Sequence, residues 1–284
     1  MKHSSDQLKV YEPNYIVNAG LHVWADMFKE LVGFRGLVWR LIIRDISARY
    51  KQSLFGVFWA FIAPMVLMMV FVWVKNRQIL PIDDTAMPYA AFVFTGQMIW
   101  QLFSQGVLSS ANSLVAAGNM LTKINFPREV LIFSAIGQTV FDFILKIPLL
   151  FIVFYATGFL PGFSIVLIPF ALLPMLIMII GIGFFVSLLN AVSRDVANAL
   201  SIIMNLGMFL TPVIYPPPES WPFSFLINTL NPVSSFISIS RDLMTTGIIS
   251  DPFNYVFSLL FSLLIFLFGW RLFHLTEPKI AERI

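Results

Sequence analysis

The sequence predicts an all-α membrane protein with six transmembrane helices, and three observations lead to this fold class. Hydrophobic residues make up 58% of the 284-residue chain and charged residues only 12%, about half the charged share of a soluble domain. Several apolar runs are long enough to cross a hydrocarbon core about 30 Å thick. The basic residues also gather in alternate connecting segments, as they do in multi-pass membrane proteins.

The first predicted span is the apolar run 54–74, which reaches about 32 Å as a helix because each residue adds about 1.5 Å. Five further apolar runs predict the other spans, at 89–110, 130–155, 165–192, 197–215 and 255–273. The whole chain then divides into a cytoplasmic extension at 1–36, an amphipathic interfacial helix at 37–53, a six-span domain at 54–273 and a cytoplasmic tail at 274–284.

The basic residues predict that both termini lie on the cytoplasmic side. With the N-terminus inside, the inner segments hold most of the 18 Lys and Arg residues, whereas the outer segments hold only Lys75, Arg77 and Arg241. Positively charged loops are retained on the cytoplasmic side. The sequence therefore favours an N-in, C-in topology.

The segment between the fifth and sixth predicted spans is hydrophobic but divided by prolines. Its apolar pieces 223–230 and 233–243 are too short to cross a bilayer. We expect them to form re-entrant or interfacial helices on the outer side.

The predicted interfacial helix 37–53 has two distinct sides at 100° per residue. Arg40, Arg44 and Lys51 fall together on one side, and apolar residues such as Trp39 and Ile43 fall on the other. Such a helix is suited to lie in the cytoplasmic interface. The charged side allows two interpretations: a membrane anchor that obeys the positive-inside rule, or a docking surface for a soluble partner.

A polar stripe and several aromatic residues are candidates for a channel lining. The stripe repeats at three and four residues along the second span, which places its members on one face. Polar side chains are costly in lipid, so this face contacts protein or water, and interhelical packing explains it as well as a channel does. The channel-lining candidates from both groups are Phe55, Phe58, Trp59, Gln97, Trp100, Gln101, Gln105, Phe209 and Tyr215.

Asp142 and Lys146 are opposite charges inside the third predicted span. Their spacing of four residues lets them pair and neutralise each other within one helix. A role in ion coupling would instead indicate a secondary transporter. The chain has no cysteine, and its three histidines lie near the ends. We therefore expect no metal site and no catalytic residue.

Six short motifs follow one another along roughly residues 40 to 245. They are "RDISARYKQSLFGVFWAFIAP", "PYAAFVFTGQMIWQLF", "LTKINFPREV", "SRDV", "FLTPVIYP" and "LNPVSSF". In order and spacing they resemble the membrane subunit of bacterial ATP-binding-cassette exporters of polysaccharides, and Phe55 is a mild departure from the family pattern.

The resemblance implies a transporter half of which two copies form a channel, with two separate ATPase subunits that bind ATP and Mg²⁺. None of the 15 glycines begins a G-x-x-x-x-G-K-[ST] phosphate loop in this sequence. The resemblance also implies a coupling helix within 112–128 and an outer gate near Pro212, Trp221 and Arg241. The implied ATPase contacts are Arg40, Arg44, Asp45, Arg49, Asn112, Leu121, Lys123, Arg128 and Glu129.

The expected substrate is a lipid-linked polysaccharide, with O-antigen on undecaprenyl diphosphate first and capsule or teichoic acid as the alternative. The expected location is the bacterial inner membrane, and no nucleic acid partner is expected. An ion-coupled secondary transporter that uses Asp142 and Lys146 remains a further alternative.

Overall fold

The computed structural model of the protein describes residues 22–51, 58–79, 82–118, 120, 126–216 and 230–281. Within these ranges the regular structure consists of nine α-helices and one 3-10 helix, Phe163–Leu167, with no strand. The α-helices are α1 (His22–Gly33), α2 (Arg35–Lys51), α3 (Phe58–Asn76), α4 (Tyr89–Ala117), α5 (Glu129–Thr157), α6 (Ile168–Val192), α7 (Asp195–Leu210), α8 (Pro232–Thr245) and α9 (Pro252–Ala281). The prediction of an all-α protein is confirmed for the described residues.

Four helical segments among the described residues are long and apolar enough to cross a membrane. They are Phe58–Asn76, Glu129–Thr157, Phe163–Val192 and Pro252–Thr276. The helix α7 is apolar but shorter, and α4 is long but less hydrophobic. The chain is thus a multi-pass membrane protein by its helices, and the count of six spans stays a prediction.

The helix α4 lies at the centre of the bundle. It packs against α3, α5, α6, α7 and α8, and every residue from Ala91 to Trp100 is buried. A helix surrounded by protein can carry Thr, Ser and Gln side chains that a lipid-facing helix cannot. This position explains why the predicted second span has the polar stripe.

The helices α6 and α9 approach each other closely because glycines face one another. A side chain at Gly181 would overlap the backbone of Phe266, and one at Gly269 would overlap the backbone of Gly181. Small residues at a crossing let membrane helices pack backbone to backbone. This contact fixes the last helix against the centre of the bundle.

Two helix ends differ from the predicted spans for local reasons. The helix α4 continues through Ala117, so the first part of the predicted coupling helix 112–128 extends the second span. The helix α7 ends at Leu210, because Thr211 adopts an extended conformation with φ of −107° and ψ of 141° ahead of Pro212. A residue before proline avoids the helical region.

The predicted outer piece 233–243 forms a helix, α8. Its first turn is capped by Asn231, whose side chain accepts a hydrogen bond from the Val233 amide at 3.1 Å. The other predicted outer piece, 223–230, lies outside the described residues except for Leu230. The re-entrant arrangement therefore stays a prediction.

Candidate functional site

A polar cleft of about 440 Å³ opens among α2, α4 and α5, on the side predicted to face the cytoplasm. Charged and amide side chains line it, contributed by all three helices. Six of them are Arg44, Asp45, Arg49, Gln105, Asn112 and Gln138. The structure thus gathers in one place four predicted ATPase contacts and one predicted channel-lining glutamine.

At Arg49, which lines this cleft, α2 is attached to α5 through Asp142. The Arg49 Nη1 lies 2.5 Å from Asp142 Oδ2, and the Tyr50 hydroxyl donates to Asp142 Oδ1 at 2.7 Å. Burial, followed by the bond to Asp142, raises the pKa of Tyr50 to about 12. Tyr50 therefore stays protonated at neutral pH and remains a hydrogen-bond donor.

Two further contacts continue this attachment towards the N-terminal end of α5. The side chain of Ile42 packs over Gly137, where an added side chain would overlap it. The Ser134 hydroxyl lies 3.5 Å from Asp45 Oδ2. The residues of α2 that contact α5 recur at helical spacing, so one side of α2 is fixed to the third predicted span.

Asp142 and Lys146 lie close enough for their opposite charges to attract each other, as predicted, but each side chain makes its hydrogen bonds to another helix. Asp142 is bound by Arg49 and Tyr50 of α2. Lys146 is buried and its Nζ donates to Gln101 Oε1 of α4 at 2.8 Å. These contacts connect α2 to α5 and α5 to α4.

The remaining predicted ATPase contacts occupy different environments. Arg40 and Arg44 are exposed on α2, and Arg44 Nε donates to Asp45 Oδ1 at 2.8 Å. Glu129 is buried beside His274 of α9, with a distance of 3.5 Å between Oε1 and Nδ1, so it contributes to packing at the first turn of α5. Arg128 occupies the position just before that turn, and its side chain makes no capping hydrogen bond. Leu121 and Lys123 lie outside the described residues.

The predicted polar stripe of α4 divides into three environments. Gln97 is fully buried, and neither atom of its side-chain amide has a hydrogen-bond partner within the described part of the chain. Gln101 accepts from Lys146, and Gln105 is exposed in the cleft. Of these three glutamines, Gln105 is exposed, Gln101 is partly buried and Gln97 is buried.

The aromatic channel candidates separate in the same way. Trp100 is buried. Phe58, Trp59 and Phe209 are more than half exposed, at 67%, 56% and 53%. Tyr215 donates to the Phe209 carbonyl at 2.9 Å. Phe55 lies outside the described residues.

Arg241 is buried beneath the predicted outer side, next to a cavity of about 490 Å³. Its guanidinium donates to the carbonyls of Pro212 at 2.8 Å, Val213 at 2.6 Å and Phe92 at 3.0 Å. It also stacks on the Phe92 ring, with 3.4 Å from Cζ to the ring centroid. The lack of a side chain at Gly96 provides the space for this guanidinium, because an added side chain there would overlap it.

Arg241 thus joins three elements: α8, α4 and the chain that follows α7. The carbonyls of Pro212 and Val213 lie beyond the end of α7, where helical hydrogen bonding has stopped. A buried carbonyl needs a donor, and one arginine fork supplies several. Of the predicted outer-gate residues, Pro212 and Arg241 are in direct contact, and Trp221 lies outside the described residues.

Tyr50, Gly96 and Gly137 are important contacts that sequence reasoning missed. A signal for Tyr50 was present, because Asp142 inside a span requires a partner and Tyr50 follows the basic residue Arg49 on an interfacial helix. No comparable signal exists for the two glycines, since their role depends on which side chain of another helix lies opposite.

These features define a multi-pass membrane protein with a basic helix at the end predicted to face the cytoplasm and an arginine-bound helix break at the end predicted to face outwards. The chain belongs to the ABC-2 type transporter family, whose model matches residues 36–245. As a permease of this family it is a transport subunit and not an enzyme.

Curated relatives cover most of the chain. It is 32% identical over 193 residues to the O-antigen export system permease protein RfbA of Myxococcus xanthus, covering 67% of this chain and 72% of that protein. It is 28% identical over 245 residues to RfbA of Klebsiella pneumoniae, covering 84% and 91%. It is 22% identical over 248 residues to the polysialic acid transport protein KpsM of Escherichia coli, covering 84% and 92%.

Proposed function

We propose that this chain is the membrane subunit of an ATP-driven exporter that moves lipid-linked polysaccharide across the bacterial inner membrane. The observation that carries the proposal is the similarity to O-antigen export permeases over 84% of the chain at 28% identity. The similarity to the capsule-type relative is lower, at 22% identity over the same share. O-antigen on undecaprenyl diphosphate is therefore the first candidate substrate, and capsule or teichoic acid is the alternative.

The proposed partners in the cytoplasm are two ATPase subunits, which bind ATP and Mg²⁺. Their docking surface is the charged side of α2, where Arg40 and Arg44 are exposed, together with the connection after α4. Because α2 is bonded to α5 through Arg49 and Asp142, a displacement of α2 by a docked ATPase is transmitted to the third span. The bond from Lys146 to Gln101 extends this path to α4.

The proposed partner in the membrane is a second copy of the chain. The helix α7 has no buried side chain in the single chain, and α3 exposes Phe58 and Trp59. Two copies that bring these helices together would enclose a path with aromatic walls. Flat apolar rings and replaceable hydrogen bonds suit a polysaccharide that slides past them.

The ion-coupled alternative loses support from the same contacts. It requires Asp142 or Lys146 to bind and release an ion, and both side chains are engaged by neighbouring helices. Inverted repeats with broken helices at the midplane are typical of many secondary transporters. The sequence has no such repeat, so we retain the ATP-driven proposal.

Exchanging the charges at the exposed end of the docking surface is expected to weaken ATPase binding. The double variant Arg44→Glu with Asp45→Arg should lower co-purification of the ATPase about tenfold. Each new side chain then faces a like charge on the partner, and such repulsion at an interface costs about 1.4 kcal/mol or more. Membrane insertion should be unchanged because both positions lie on α2, outside the spans.

The matched control is Lys29→Glu, which reverses an exposed charge on α1, outside the region matched by the family model. It should leave co-purification unchanged. Full ATPase recovery with the Arg44 and Asp45 double variant would remove α2 as the docking surface.

A further inference from the structure

The helix α1 lies before the region that the family model matches, which begins at residue 36. One side of α1 packs on the inner end of the last helix. Trp24 meets Trp270 of α9 edge to face, with 5.8 Å between ring centroids, and Met27 is 4% exposed. The position of α1 against the bundle is therefore fixed by buried contacts.

A second apolar side of α1 is exposed, and it continues along α2. Phe28 is 60% exposed and Val32 is 44% exposed on α1, while Trp39 is 63% and Ile43 is 48% exposed on α2. At 100° per residue these four positions fall within about 60° of one another. We call this set the apolar stripe.

The chain passes from α1 to α2 through Phe34 without leaving helical hydrogen bonding. The Phe34 amide donates to the carbonyls of Glu30 at 3.2 Å and Leu31 at 3.1 Å, and the Phe34 carbonyl accepts from the amides of Leu37 at 2.8 Å and Val38 at 3.1 Å. These bonds combine the spacings of an α-helix and a 3-10 helix, so the junction is a slightly tightened turn. One tightened residue changes the direction of the following side chains by about 20°, and the apolar stripe continues across the junction.

Most exposed charged residues of both helices lie on another side, whereas Arg35 lies at the edge of the apolar stripe, where its long side chain can reach the aqueous surface. Asp26, Lys29 and Glu30 of α1 and Arg40 and Arg44 of α2 are exposed, and they fall within about 100° of one another in the same frame. Each helix thus has three sides: one against protein, one apolar and exposed, and one charged. A helix with adjacent apolar and charged sides is typical of the membrane surface.

We propose that α1 is a second interfacial anchor, whose Phe28 and Val32 insert into the cytoplasmic leaflet of the bilayer beside Trp39 and Ile43. The position of α1 along the last helix supports lipid as the occupant of the apolar stripe. Trp24 of α1 contacts Trp270, which lies less than two helical turns before the end of the membrane-length segment Pro252–Thr276. The charged side faces the cytoplasm. This proposal requires only that the chain is a membrane protein, and it is independent of the exported substrate.

The absence of cysteine from the sequence makes a direct test possible. Single cysteines at Phe28, Val32, Asp26 and Lys29 carry a nitroxide label in the full chain, reconstituted in vesicles of phosphatidylethanolamine and phosphatidylglycerol. The ratio of collision with oxygen to collision with a water-soluble nickel chelate reports depth. We expect this ratio to be severalfold higher at Phe28 and Val32 than at Asp26 and Lys29.

The same measurement with the ATPase bound separates the possible occupants. In the proposed arrangement, Phe28 and Val32 keep a high oxygen ratio after the ATPase binds. Equal ratios at all four positions would overturn the proposal. A fall in collision with both reagents at Phe28 and Val32 only when the ATPase binds would also overturn it, because the stripe would then be a protein contact. Val32 repeats the test if the label at Phe28 disturbs folding.

Discussion

Replacing Arg241 with methionine is expected to destabilise the protein by about 3–5 kcal/mol and to abolish transport. The arginine donates to the carbonyls of Phe92, Pro212 and Val213, and a methionine keeps an unbranched apolar stem but ends before the guanidinium and supplies no donor. The carbonyls of Pro212 and Val213 lie outside helical structure, so they lose a donor at a buried site. The end of α7 is then no longer held against α4 and α8.

The effect is measured as the thermal unfolding midpoint of the purified protein, together with transport in vesicles. We expect the midpoint to fall by about 10 °C, since 1 kcal/mol corresponds to a few degrees in a domain of this size. Arg241→Lys should recover part of the loss, because it keeps the charge but cannot reach three carbonyls in a fork. Arg77→Met, at an exposed arginine, is the matched control and should behave like the wild type.

An unchanged midpoint and normal transport in Arg241→Met would contradict this role. A second outcome would restrict Arg241 to a structural role. If the unfolding midpoint falls but transport per folded molecule is normal, Arg241 stabilises the fold without controlling the proposed outer gate. The two measurements together therefore distinguish a structural role from a role in the proposed outer gate.

Reversing the charge of Asp142 is expected to uncouple the ATPase from transport. In Asp142→Arg the new cation faces Arg49, and Tyr50 loses its acceptor, so α2 is no longer bonded to α5 at this point. We expect transport to fall about tenfold or more, because the bond through which a displacement of α2 reaches α5 is replaced by repulsion between two cations. ATPase co-purification should persist, since the charged side of α2 is unchanged.

The pair is tested by exchanging both charges. Arg49→Asp combined with Asp142→Arg restores opposite charges, and we expect a coupling energy of about 1–3 kcal/mol from the double-mutant cycle. The control is Arg35→Asp, at another exposed arginine of α2, combined with Asp142→Arg, which should not rescue transport. Equal loss in the exchanged pair and in Asp142→Arg would contradict the proposed coupling through this bond.

The helical fold follows from the sequence because apolar length and charge asymmetry are local properties. The described part of the predicted run 54–74 lies within α3, Phe58–Asn76. The central position of α4 could not be derived so directly, because its polar stripe fits both packing and a channel. The structure separates these roles residue by residue, with Gln97 buried and Gln105 in the cleft.

The prediction of a local pair between Asp142 and Lys146 gave their electrostatic attraction but not their hydrogen-bond partners. Spacing along one helix identifies which charges can meet, but not which neighbouring helices offer better partners. Arg49 lies far from Asp142 in sequence, and Gln101 far from Lys146, so neither contact is encoded at short range. The role of Arg241 was also hidden, because its partners are backbone carbonyls that carry no side-chain signal.

The most direct test of the proposed function is ATP-driven transport by the purified complex. The chain is reconstituted with its partner ATPase in vesicles, and undecaprenyl-diphosphate-linked O-antigen that crosses the bilayer is measured by accessibility to a glycan-binding probe. We predict transport only with hydrolysable ATP and an active ATPase, and none with an ATPase variant that binds but does not hydrolyse ATP. Equal transport without the ATPase, or transport driven by an ion gradient alone, would contradict the assignment of this chain as an ATP-driven exporter permease.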